Sequence, residues 1–463
     1  MPDRKNLDAF RPQVTAPPPI PANHSGETTV PEDDGAAASR NVEALARKIH
    51  RQLVDKLTEH EFKKMPELQQ HNEVRSQTEK LLDQEGTPLT FLERKTLIED
   101  LIDEIFGLGP LERLLKDPTI NDILINGPEQ VFVERRGRLE ETRLRFRDSQ
   151  HLMDIISRIV ARIGRHVDET TPIVDARLVD GSRVNIILPP LALRGPTVSI
   201  RRFGVRPLEM KDLLEYKTLT PEMSLVLQAA VRAKISMVIS GGTGSGKTTL
   251  LNVLSSYINP EERIVTIEDS AELQLQQRHV VPLEGRLANV EGKGAISIRE
   301  LVRNALRMRP DRVVVGECRG PEVVDMLQAM NTGHEGSMTT LHANGPRDAL
   351  YRMENMYMMA GYDIPLKAMR QQIASAIRMI IQIDRLQGGP RRIMSITELT
   401  GLEGEVPVLQ EIYRFRQLGV DVSGKAVGQF EATGVRPAFL ARAKAVGADL
   451  PGAIFSERVL MQA

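Results

Sequence analysis

The chain has 463 residues, 41% of them hydrophobic, which is enough for two or three packed domains and excludes a small scaffold held by staples. Sixty-one basic against 62 acidic residues leave a formal net charge of −1, so global charge excludes any strong pull toward nucleic acid or an anionic membrane surface. The single cysteine, Cys318, excludes an intramolecular disulfide framework and a cysteine-cluster metal site.

No run reaches the ~18–20 apolar residues that span a bilayer, and the N-terminus has no apolar signal core. A cytoplasmic protein is expected, with membrane contact only through partners. Residues 1–40 hold seven prolines (Pro2, Pro12, Pro17, Pro18, Pro19, Pro21 and Pro31) and few large apolar side chains, so a disordered tail is expected. Over 41–109 the spacing turns helical. Leu45, Ile49, Leu53 and Leu57 mark one face, Phe91, Ile98, Leu101, Ile102 and Ile105 another, and Thr90 with Glu93 makes a capping-box start. This is read as a small helical module that either docks on a partner or only packs.

Over 110–205 short apolar runs alternate with turn signals. Ile123–Ile125, Val131–Val133, Ile173–Leu178, Val184–Leu188 and Val198–Ile200 read as strands, with hairpin-type turns at Asn126-Gly127 and Asp180-Gly181. Leu152, Ile155, Ile156, Ile159 and Ile163 trace one helix face, so an α+β domain on an antiparallel sheet is expected. Residues 206–220 read as a linker.

From 221 to 420 strand and helix patterns alternate, through Ile235–Ile239, Ile264–Ile267, Val313–Val315 and Met338–Leu341. A RecA-like parallel α/β domain is expected, with a whole strand between the first and the Val313 strand. Met379–Ile383, Ile393–Leu399 and Val408–Phe415 look like added edge strands, and 421–463 is set apart as a C-terminal tail without a readable pattern.

The most informative segment is Gly241, Gly242, Thr243, Gly244, Ser245, Gly246, Lys247 and Thr248, which fits G-x-x-x-x-G-K-[ST] directly after a buried-strand pattern. In such a loop consecutive N–H groups face nucleotide phosphates, Lys247 reaches β/γ oxygens, and the Thr248 hydroxyl ligates Mg²⁺. Thr249 continues as a helix whose positive end faces the anion. ATP and Mg²⁺ are the expected ligands.

Three more clusters follow. Glu268-Asp269-Ser270-Ala271-Glu272 comes after a strand, where one carboxylate either orients the attacking water or holds Mg²⁺ through water. Arg312-Val313-Val314-Val315-Gly316-Glu317 reads as a Walker B strand in which Gly316 stands where an Asp usually ends the strand, leaving Glu317 as the acid and a candidate metal ligand. His334 and His342 bracket the Met338–Leu341 strand, one of them sensing the γ-phosphate or bridging a moving interface.

These four clusters, in this order, resemble the secretion ATPase superfamily of type II secretion, type IV pili and type IV secretion. Val174-Asp175-Ala176-Arg177-Leu178, Asp180-Gly181-Ser182-Arg183-Val184-Asn185, Ser199-Ile200-Arg201-Arg202-Phe203 and the run to Leu341-His342-Ala343-Asn344 make the chain most similar to the CpaF-type ATPases of tight-adherence pili. The resemblance implies a homohexamer at the inner membrane, hydrolysing ATP and driving a pilus platform protein, with the acids at 268–272 and 317 and the His box catalytic. It also implies that Arg183, Arg201 and Arg202 are delivered to the γ-phosphate from the upstream sheet; pairing with surface carboxylates is the plain alternative.

A type IV secretion traffic ATPase shares all four clusters, and a scaffold that holds nucleotide without turnover is the non-enzyme alternative. A helicase or recombinase would want stacking aromatics, which are 4% here with no tryptophan, so no direct nucleic-acid contact is expected. Arg299, Arg303 and Arg307 share one helix face, as a subunit contact or a solvated one. Met353, Met356, Met358 and Met359 are read as core or as an adaptable partner surface.

Overall fold

The structure, a computed structural model, describes residues 34–57, 65–135, 138–162, 166–202, 207–286 and 293–463. The expected disordered segment lies outside them up to residue 33, but α1 (Asp34–Leu57) begins seven residues earlier than the expected boundary at 41. Residues 203–206, at the start of the expected linker, also lie outside.

The chain divides into two compact units between Glu112 and Arg113. In the first, α1, α2 (Glu67–Glu85) and α3 (Phe91–Phe106) pack around Leu45, Ile49, Leu53, Val74, Leu97, Ile98 and Leu101. The Thr90–Glu93 capping box that starts α3 is formed in both directions, Thr90 N–H donating to Glu93 at 2.8 Å. Phe91 and Leu92 stay exposed, so the apolar face expected to begin at Phe91 is buried only from Leu97 onward.

The helix α4 (Leu111–Lys116) leads into the second unit. There β1 (Ile120–Asn126), β2 (Val131–Arg135), β3 (Arg138–Glu141), β4 (Ile173–Arg177), β5 (Arg183–Ile187) and β6 (Thr197–Arg201) form an antiparallel sheet of order β3-β2-β1-β6-β5-β4. Both expected turns are present, with Gly127 and Gly181 at φ 77° and 88°. The helix α5 (Ser149–Ala161) buries Leu152, Ile155, Ile156 and Ile159, and Asp148 caps it by accepting from His151 N–H at 2.8 Å.

The expected linker is structured: α6 (Met210–Glu215) buries Met210 and Leu213 in the core that follows. That core flanks a ten-stranded sheet of order β16-β15-β14-β13-β12-β7-β11-β10-β8-β9. Its parallel part is β7 (Met237–Ser240), β8 (Ile264–Glu268), β9 (Val280–Glu284), β10 (Arg312–Val315), β11 (Met338–Leu341) and β12 (Met379–Arg385). In space it is β11 that separates β7 from β10; the strand that follows β7 in sequence, β8, lies beyond β10.

Parallel strands covered on both faces are mostly apolar, as β7, β8, β10 and β12 are, with buried polar residues such as Arg312 on β10 and Thr339 and Thr340 on β11. Met237, Ile239 and Val314 face one core with α7 (Pro221–Arg232) and α8 (Lys247–Ser255). Val238, Val313 and Val315 face the other, with α9 (Ile298–Ala305), α10 (Glu322–Asn331), α11 (Pro346–Met358) and α12 (Leu366–Ala376). Each fully buried Ile or Val contributes about 1.5–3 kcal/mol.

The runs expected as edge strands are not at an edge. β12 pairs with β7 on one side and β13 (Arg391–Glu403) on the other, and β14 (Val406–Val420) continues the sheet. The stretch set apart as a tail supplies β15 (Ala426–Ala432), α13 (Leu440–Ala445) and β16 (Arg458–Gln462). Phe430, Phe439 and Phe455 anchor it in the core, which the Gly- and Ala-rich sequence obscured because these anchors are widely spaced. Among the described residues no helix is long and apolar enough to cross a membrane.

Candidate functional site

The loop 241–246 leaves the carboxyl end of β7 and enters α8. A Cβ at Gly241 would stand 2.0 Å from Ile383 O on β12, so only glycine fits there. Gly244 and Gly246 hold φ 68° and 100°, a region that costs other residues strain, and Gly246 caps α8. Lys247 opens the helix, and Thr248 and Thr249 follow in its first turn. The Lys247 ammonium donates to Gly241 O at 3.0 Å and Gly242 O at 2.8 Å. Burial pulls its pKa below the ordinary lysine value, and the nearby Glu317 carboxylate opposes that. Arg391, on β13, donates to Gly244 O at 3.0 Å and so braces the loop from outside.

Glu317 follows β10 and His342 follows β11, so both emerge at the same sheet edge. His342 Nε2 lies 2.9 Å from Glu317 Oε1, and both ring nitrogens lie 3.5 Å from the Lys247 ammonium. Burial, with Lys247 and Arg319 nearby, pulls the His342 pKa down, while Glu317 pushes it up. The other Glu317 oxygen accepts from Arg319 at 2.6 Å. Ser245 Oγ is buried without a hydrogen-bond partner among the described residues. That unsatisfied hydroxyl, beside a buried lysine, a glycine cradle and the Glu317 carboxylate, fits a nucleoside triphosphate with Mg²⁺.

The acidic loop after β8 is held from several sides. Glu268 accepts from the N–H groups of Glu272 at 2.9 Å and Leu273 at 3.1 Å. Burial raises the Glu268 carboxyl to about 7 in spite of these bonds. A Cβ on Gly316 would stand 2.7 Å from Glu268 Cγ. The departure at position 316 thus has a steric cause: Glu268 fills the space that a Walker B aspartate would need. Glu272 is ion-paired with Arg183, which reaches from β5 of the other sheet.

A family model described as Type II/IV secretion system protein matches residues 104–392. The chain belongs to this secretion ATPase family. A putative conjugal transfer protein of Mycobacterium tuberculosis is 37% identical over 326 residues, 69% of this chain and 92% of its own length. The type IV secretion system protein PtlH of Bordetella pertussis is 33% identical over 329 residues, 64% of this chain and 95% of its own. Among solved structures, the VirB11 ATPase of the Brucella suis type IV secretion system is 27% identical, covering 64% of this chain and 97% of that one with a TM-score of 0.34.

In this secretion ATPase the structure brings Lys247, Glu317 and His342 together, and Arg183 with Glu272. Other expected residues have partners of their own. Arg202 alternates to the opposite sheet face from Arg201, and its guanidinium donates to the carbonyls of Asp117 and Ile120. His334 precedes β11, at the amino edge of the sheet, where its carbonyl accepts from Ser337 Oγ at 2.7 Å. A whole strand separates it from His342. Arg201 is mostly exposed and paired with Asp122 at 3.3 Å. Glu268 has its carboxylate turned to the backbone N–H groups of Glu272 and Leu273.

Sequence reading missed Arg177, Arg319 and Arg391 as site residues. Arg319 sits two residues past Glu317, a signal that was available; Arg391 lies 144 positions beyond Lys247 and only the β12–β13 hairpin brings it back. Of the other clusters, Arg299 pairs with Asp325 at 2.9 Å and lies over the Tyr362 ring. Met353 and Met356 are core, while Met358 and Met359 are exposed.

Proposed function

We propose that this chain is an ATP-hydrolysing motor of the secretion ATPase type, working as a homohexamer on an inner-membrane platform protein to assemble tight-adherence pili. The observation that carries the reading is that His342 lies 3.5 Å from Lys247 and 2.9 Å from Glu317 beside the glycine cradle. Lys247 would leave its two carbonyl partners to meet phosphate oxygens, and Thr248 would hold Mg²⁺, which would neutralise phosphate charge. Glu317 or Glu272 aligns the attacking water. His342, between Lys247 and Glu317, registers whether a γ-phosphate sits there.

Arg183 lies on a separate sheet from the nucleotide loop and already engages Glu272. Transfer of its charge to the γ-phosphate on closure would couple chemistry to movement of the six-stranded sheet, and an arginine so delivered is worth roughly 10³–10⁵ in turnover. Work in a ring of six would follow from that movement.

A traffic ATPase of type IV secretion is the second reading, favoured by the conjugal transfer and PtlH names of the relatives. Imaging surface filaments in source cells carrying Lys247→Ala separates the two. Loss of pili supports the pilus motor; normal pili with loss of a transfer or secretion phenotype supports the traffic ATPase. Wild-type behaviour in both would overturn the motor reading.

A further inference from the structure

The strand register places Arg177 opposite Arg183, and Arg183 opposite Arg201, so three arginines form one row across β4, β5 and β6. Like charges directly opposite one another destabilise a sheet unless each finds a counter-charge. Arg201 finds Asp122 within the sheet, and Arg183 finds Glu272. Arg177 finds three partners beyond its own sheet, two on the acidic loop and one on β9: Ser270 Oγ at 2.7 Å, Ala271 O at 3.1 Å and Glu284 at 3.3 Å. Glu284, on β9, also accepts from the Ala271 N–H at 3.2 Å. With Glu268 holding the N–H groups of 272 and 273, and Asn252 of α8 accepting from Gln274 N–H at 2.9 Å, every residue from 270 to 274 has a fixed bond.

We propose that Arg177 is a positioning residue for hydrolysis: its guanidinium fork clamps Ser270 and Ala271 and thereby sets where the Glu272 carboxylate stands between Arg183 and the nucleotide. The proposal rests on the ATPase reading above and adds to it a residue that never needs to touch nucleotide. The β4–β5 hairpin then grips the acidic loop twice, once through its backbone at Arg177 and once through its reactive carboxylate at Arg183. A planar fork with several donors suits two adjacent acceptors; a lysine ammonium could satisfy Glu284 but not hold the same geometry.

The test uses the full chain and three variants, Arg177→Ala, Arg177→Lys and Ser270→Ala. Phosphate release at saturating ATP should fall about 10- to 100-fold in Arg177→Ala, the scale of a misplaced reacting group, with affinity for a non-hydrolysable ATP analogue unchanged. Arg177→Lys should recover only part of the rate. Arg177→Ala combined with Ser270→Ala should cost less than the sum of the two single changes, since both remove one bond. Without nucleotide, amide exchange at 270–273 should quicken in Arg177→Ala. A wild-type rate in Arg177→Ala, where Lys247→Ala is inactive, would overturn the clamp and leave the ATPase reading standing. So would lost analogue affinity with unchanged exchange, which would make Arg177 a direct ligand. No phosphate release from the unaltered protein would overturn the ATPase reading, while the exchange measurement would still report on the clamp.

Discussion

His342 Nε2 stands 2.9 Å from Glu317 Oε1, joining the ends of two neighbouring parallel strands at the point where the Lys247 ammonium also arrives. His334, eight positions earlier in the chain, is at the other end of β11. Two histidines that look equivalent in sequence are therefore expected to behave differently. His342→Ala should lower turnover by about 10²-fold, the range for a lost acid–base or electrostatic partner, whereas His334→Ala should leave turnover unchanged. Steady-state phosphate release on the two variants checks this.

Lys247→Ala should keep the fold, as read by circular dichroism, because the groups that lose a partner are only two loop carbonyls and no core side chain is removed. Hydrolysis should be abolished. Retained turnover would refute the assignment of the nucleotide loop.

The three arginines of the upstream sheet should separate. Arg183→Ala should bind ATP and turn over more slowly by roughly 10³-fold or more. Arg201→Ala is expected to bind normally and slow to a smaller degree, since its guanidinium is spent on Asp122. Arg202→Ala should instead lower stability by about 1–3 kcal/mol with turnover intact, because it strips a donor from the Asp117 and Ile120 carbonyls. Melting curves alongside rates distinguish the classes.

Gly316→Asp restores the usual Walker B residue, yet it should harm this protein. Its Cβ would press on Glu268 at 2.7 Å and set two carboxylates against each other. A loss of about 1–3 kcal/mol in denaturant titration is expected, with reduced phosphate release as the 268–273 loop shifts.

The Glu268 carboxyl, raised from 4.5 to about 7 by burial, favours the neutral form in the folded state. Its stabilising contribution is therefore complete below pH 4.5 and is lost as pH rises through about 7. Between those limits the change is on the order of 3 kcal/mol. Glu268→Gln should flatten this part of the pH dependence of unfolding, and an identical slope in both proteins would refute it.

Much of this site was legible because its chemistry is local. The glycine loop, the lysine and the following helix are consecutive, and the apolar runs of β7, β8, β10 and β11 mark strands buried on both faces. The extension of the sheet through β12 to β16 was not legible as such. β12 is buried from Met379 to Ile383, but nothing in that run says that Met237–Ser240 lies beside it.

The sequence by itself determined the nucleotide loop, the order of the acidic and histidine clusters, and the two sheet types, since each depends on spacing along one strand, turn or helix. Only the tertiary structure decided which residues meet. Strand order placed β11 between β7 and β10 and so brought His342, not His334, to Lys247. The alternation of β6 sent Arg202 away from the face that Arg201 shares with Arg183. Packing of one sheet against the loop of another joined Arg177 and Arg183 to residues about ninety positions distant. Such contacts depend on register and crossover, which are set by the global burial of apolar faces and leave no periodic trace in the local sequence.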